Sequence, residues 1–165
     1  MKLVRALVSG AVGAAVVLLL FALAHWLLRT PPELASLLGR VLVQPEGGAT
    51  AWAAGAALQL AVGAAAGVAY AAVFEYVTRR AGAGAGLLVA VPHVVVAGLA
   101  VGLLPVRAGA EALPGAFLAF DGWVAATCFV LAHLLFGALV GLWYGDTRHA
   151  AAPGAVEWTE LRSAG

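Results

Sequence analysis

Residues 123–144 read WVAATCFVLAHLLFGALVGLWY, an apolar run without a single Lys, Arg, Asp or Glu. A bilayer core about 30 Å thick is crossed by about 20 helical residues, because each residue advances the axis by about 1.5 Å. The run is long enough, and it has no polar face on which a soluble helix would meet water. Within it Gly137 and Gly141 stand four apart. That spacing lets two helix backbones approach closely in lipid, where apolar side chains gain nothing by leaving their solvent. His133, four residues before Gly137, puts an imidazole on the same close-packing face.

Three further stretches meet the same conditions of length and charge: 6–28, 52–74 and 85–104. Hydrophobic residues fill 64% of the 165 positions and charged residues 10%. Soluble domains carry roughly half and a quarter, so the chain reads as an all-α, polytopic membrane protein with four transmembrane helices in a compact bundle. Residues 1–145 form the transmembrane domain and 146–165 a cytoplasmic tail, whose Trp158 and Leu161 offer contacts to headgroups or a partner.

The net charge of +1 lacks the basic stripe that nucleic acid requires. With the N-terminus inside, Lys2, Arg5, Arg79, Arg80, Arg148 and Arg162 lie on the cytoplasmic side, against Arg29, Arg40 and Arg107 outside. The expected location is the plasma (inner) membrane with both termini cytoplasmic. A competing reading of the N-terminus is a cleaved signal peptide, with Ala22-Leu23-Ala24 as the small-x-small site. The apolar run continues through Trp26, Leu27 and Leu28, which favours a first transmembrane helix. Cys128 is the one cysteine, so neither an internal disulfide nor a cysteine-based zinc site can form.

Between the spans, Thr30-Pro31-Pro32-Glu33 has the spacing of a capping box. Leu34, Leu37, Leu38, Val41 and Leu42 then fall on one helical face, so 31–43 is expected to be an amphipathic helix on the outer surface or over the bundle mouth. The second outer loop, 105–121, is bounded by Pro105 and broken by Pro114, and its Gly115–Phe120 run is apolar enough to enter the interface. The short connection from Arg79 to Gly84 predicts that the second and third spans are antiparallel neighbours.

A repeat is visible in the even-numbered spans. Leu60-x-x-Gly63-Ala64-x-x-Gly67-x-x-Tyr70 matches Leu134-x-x-Gly137-Ala138-x-x-Gly141-x-x-Tyr144, which suggests two parallel helical hairpins. The alternative is one packing solution reached twice. Gly98 and Gly102 supply a third pair of small residues four apart, so tight helix contacts within the chain or between copies are expected.

The chemistry is confined to a few polar groups. His93 and His133 fall at matched depth near the bilayer midplane. Three uses are open to them: a hydrogen bond, to each other or to the Leu88 carbonyl that Pro92 leaves without a helical partner; axial ligation of a haem b; or a proton or ion path. Gln59, which the repeat aligns with His133, is expected to hydrogen-bond across to a neighbour. Glu75 is expected to pair with Arg79, four residues on, and His25 to act beside Trp26 as an interfacial anchor. There is no Ser, His and Asp constellation, no phosphate loop, no paired carboxylates and no Glu-x-x-His di-metal motif, which argues against an enzyme.

From 56 to 146, Glu75 closing the second span, Gly86-Leu87-Leu88 opening the third and Ala132-His133-Leu134 in the fourth give an order that resembles the YagU-like inner-membrane proteins of bacteria. That resemblance implies a small multi-pass helical fold in the inner membrane and no reaction. The leading expectation is a non-catalytic membrane component, an accessory subunit of a larger complex or a homo-oligomer packed through Gly-rich faces. The alternatives are a haem b electron carrier using His93 and His133, and a small proton or solute conduit.

Overall fold

In the computed structural model, residues 1–29, 34–43, 48–103 and 114–147 are described. They form α1 (Leu3–Leu28), α2 (Leu34–Leu42), α3 (Gly48–Val73), α4 (Ala83–Gly102) and α5 (Trp123–Tyr144). A π-helical turn over Phe74–Thr78 prolongs α3, and a 3-10 turn over Ala116–Asp121 precedes α5. No strand occurs among the described residues. Four helices are long and apolar enough to cross a membrane: α1, α3 with its π turn, α4 and α5. The protein is therefore an all-α bundle with the character of an integral membrane protein. The Thr30–Glu33 capping box, Pro105, Arg107 and the segment from Arg148 onward, with Trp158, Leu161 and Arg162, lie outside the described residues.

Small residues decide which helices touch. A Cβ built on Gly67 would overlap the carbonyl oxygen of Ala6 and crowd the backbone of Gly10. One on Gly63 would overlap the Cβ of Ala14 and crowd the Gly10 carbonyl. The contact of α5 with α4 repeats this arrangement: Gly141 against Gly82 and Gly86, Gly137 against Gly86 and Ala90. In each pair, two glycines of the second helix seat directly on the backbone of the first, which is how association proceeds where burial of apolar surface offers no drive.

The two pairs meet along α1 and α5, where Gly13 receives the ring of Phe136 and the side chain of Val140. Viewed across the bundle the order is α3, α1, α5, α4, and α3 scarcely touches α4. The neighbour relation expected from the short Arg79–Gly84 connection is thus corrected. Backbone complementarity, which α3 finds on α1 and α4 on α5, overrides proximity in sequence. The connection itself is bent for this purpose: Arg79 (φ 53°) and Gly82 (φ 113°) are left-handed, and the Gly82 N–H donates to the Gly141 carbonyl at 2.9 Å, pinning the start of α4 to the end of α5.

The amphipathic α2 starts at Leu34 in the described residues and packs against α3. Gly39 meets the Ala51 backbone and Gly55 meets the Ala35 backbone, so α2 rides on α3 as closely as α1 does. The 3-10 turn is tucked against α4 and α5. Leu118 is fully buried, and the Phe117 ring covers Gly98 and meets Phe129 edge-on at 6.1 Å. Both Phe117 (φ 58°) and Leu118 (φ 61°) are left-handed, a strained conformation for bulky residues, which the burial of their side chains offsets. Gly98 and Gly102 therefore serve this loop and not another helix.

Candidate functional site

Because α3 and α4 stand apart, a space opens between them. Its volume is about 180 Å³. Val62 and Ala66 of α3, Ala97 and Val101 of α4, and Phe129 and Phe136 of α5 make its walls apolar. Val17 of α1 and Leu34 and Leu38 of α2 close further sides. Val62 is 54% exposed and Ala100, on the opposite wall, is also exposed, so the mouth lies between α3 and α4, where a spanning helix faces lipid.

Three polar side chains interrupt this lining: Gln59, His93 and His133. His93 and His133 stand at the middle of α4 and α5, and their ring centres are 5.5 Å apart, edge to face. Their hydrogen bonds go elsewhere. His133, 8% exposed, places Nδ1 2.8 Å from the carbonyl of Phe129, one turn back on its own helix. His93 places Nδ1 3.0 Å from the hydroxyl of Tyr70, a bridge from α4 to α3. Neither reaches the Leu88 carbonyl or the other imidazole by a hydrogen bond among the described residues. The Gln59 amide has no hydrogen-bond partner there either, so the expected bond to a neighbouring helix is replaced by exposure to the cavity.

The packing register explains why these groups converge. Gly63 and Gly137 occupy equivalent places in the two helix pairs, and four residues before them stand Gln59 and His133. Gly10 and Gly86 are equivalent likewise, and seven residues after them stand Val17 and His93. All four line the cavity, which places it at the seam between the two pairs.

A haem axially held by His93 and His133 does not match this geometry. Two axial nitrogens must face each other across an iron, whereas these rings pack directly against one another. The space beside them is smaller than the roughly 300–1,000 Å³ of pockets that take drug-sized ligands. Detergent-purified protein expressed with a haem supply is therefore expected to be colourless, and a Soret band lost on His93→Ala would show that the helices part to admit the macrocycle. No group of three or more His, Cys, Asp or Glu side chains is placed to hold a metal among the described residues.

A second polar cluster lies at the end of the bundle that holds Lys2 and Tyr144. Glu75, 1% exposed, accepts a 2.6 Å hydrogen bond from the Tyr144 hydroxyl, which in turn accepts the Lys2 backbone N–H at 3.1 Å. Arg79 is exposed in a left-handed turn, and its carbonyl accepts the Thr147 hydroxyl at 3.1 Å. The bond that defines Glu75 here is thus with α5 rather than the helical ion pair the i, i+4 spacing suggested. Glu75 stands in the first turn of the π-helical segment that begins at Phe74. The buried Phe74 ring separates the two clusters, edge-on to Tyr70 at 6.0 Å and tilted on Tyr144 at 5.8 Å. His25 is exposed near the other end of α1, beside the exposed Trp26, remote from both clusters.

Sequence reading passed over Tyr70 and Tyr144 as partners, although they were the final matched residues of the repeat. Each hydroxyl bonds a polar group on another element: Tyr70 with His93, Tyr144 with Glu75. No protein-family model, no curated protein and no solved structure matches the chain.

Proposed function

We propose that this is a non-catalytic membrane protein that takes up a small, largely apolar molecule from the bilayer into the cavity between α3 and α4. One observation carries the reading: three polar side chains, Gln59, His93 and His133, converge with open hydrogen-bonding atoms on an otherwise apolar space. A concave apolar site with a few placed polar groups is the usual form of a small-molecule site. The mouth beside Val62 favours entry from lipid rather than from water. Lys2, Arg5, Arg79 and Arg80 favour a cytoplasmic position for their end of the bundle, and the inner membrane is the setting we propose. Packing of Gly63, Gly67, Gly137 and Gly141 inside one chain leaves those faces engaged without a second copy.

Thermal unfolding of the detergent-purified protein, with ethylbenzene, 4-ethylanisole or 4-ethylphenol added, tests the proposal. At least one is expected to raise the unfolding temperature, since a ligand that binds only the folded state stabilises it. Ala97→Phe, which fills the cavity from its α4 wall, is expected to abolish the rise. No rise in the wild type, or an equal rise in the variant, would overturn the reading.

A further inference from the structure

We infer that the molecule held in this cavity carries a neutral hydroxyl group that bonds both His93 and His133 from the cavity side, donating to one ring and accepting from the other; the inference rests on the cavity being a binding site. A carbonyl oxygen can only accept, so the 2.8 Å contact to Phe129 places the His133 hydrogen on Nδ1. In the neutral ring, His133 Nε2 is then a bare acceptor. Tyr70 is buried, and its hydroxyl proton has no acceptor among the described residues other than His93 Nδ1, 3.0 Å away. Tyr70 therefore donates to Nδ1, and His93 carries its own hydrogen on Nε2. The two rings adopt opposite tautomers, one presenting an acceptor and the other a donor.

That complement selects a chemical class. A ketone or ether can only accept and leaves His133 unsatisfied, and a hydrocarbon satisfies neither ring. A carboxylate would face the His133 lone pair with no Lys or Arg in the lining to balance it, and a cation would find no carboxylate there. A hydroxyl both donates and accepts. An apolar cavity of about 150 Å³ holds benzene. The 180 Å³ here suits a ring of that size with a few further atoms, such as a compact phenol or alcohol. Gln59, able to donate and accept, serves a second polar atom of either kind without discriminating.

The full chain in detergent provides the test in two measurements. In the first, 4-ethylphenol is expected to bind about tenfold or more tightly than 4-ethylanisole or ethylbenzene, because a site built to bond a hydroxyl rejects analogues that leave its groups unmatched. His133→Phe is expected to remove that preference while the hydrocarbon still binds. Equal binding of all three probes overturns the hydroxyl inference and leaves the cavity reading standing; binding of none overturns the cavity reading itself and this inference with it. In the second, ¹⁵N spectra of histidine-labelled protein without ligand read the tautomers directly. His133 protonated on Nδ1 and His93 on Nε2 is the expected pattern, and the same tautomer in both rings overturns the inference.

Discussion

Gly67→Ala is expected to destabilise the bundle more than any other single change considered. The added methyl would overlap the Ala6 carbonyl oxygen and press on the Cα and N of Gly10, all backbone atoms that cannot swing aside as a side-chain tip can. Overpacking typically costs about 1–3 kcal/mol and sometimes more, and a clash between two helix backbones falls at the upper end. The strain would also spread, because α1 carries α3 on one side and α5 on the other. Gly84→Ala is the matched control: nothing lies within 4 Å of its added methyl, so it should not lower stability. Size-exclusion profiles and unfolding temperatures in detergent would compare them. A Gly67→Ala protein that elutes and melts like the wild type would contradict the described contact of α1 with α3.

Tyr144→Phe is expected to have the second-largest effect. The lost hydroxyl both donates to Glu75 and accepts the Lys2 backbone N–H, so one atom joins the π turn, the end of α5 and the start of α1. Glu75 is almost wholly buried, and removing a partner of a buried polar group costs about 1–3 kcal/mol. Adding Glu75→Leu should recover part of that loss, because an apolar side chain no longer needs the hydroxyl. A double-mutant cycle of unfolding free energies measures the coupling. Strict additivity of the two changes would mean that the 2.6 Å contact contributes nothing.

Much of the architecture was legible because the bilayer imposes its own arithmetic. Uncharged apolar runs near 20 residues long mark the spanning helices, and they locate α1, α3, α4 and α5 to within a few residues at either end. The order of helices across the bundle was hidden. Loop length pointed to α3 beside α4, whereas the seating of Gly63 and Gly67 on Ala6, Gly10 and Ala14 depends on facing surfaces that one sequence does not rank. At the site, the depth of His93 and His133 could be read from their positions within the spans. Their bonding could not. The partner of His93 is a tyrosine on a helix that hardly touches its own, and Gln59 faces a void that exists only because those helices separate. Glu75 was misread for a related reason: its partner Tyr144 lies 69 residues away on α5, and the π turn at Phe74–Thr78 in which Glu75 stands has no periodic signature in the sequence.

The glycine-seated contacts also bear on the order in which the chain assembles. Each pair, α1 with α3 and α4 with α5, is formed from segments close in sequence, so its backbone contact can close as soon as its second helix is made. The seam between α1 and α5 joins the two ends of the chain, and its latch, from Lys2 to Tyr144, spans nearly the whole length. The first pair must therefore wait in the membrane with the Gly13 face of α1 uncovered until α5 is synthesised. Lipid, which solvates an apolar helix face without penalty, makes such a delay tolerable. The same half-built protein in water would expose a surface prone to aggregation.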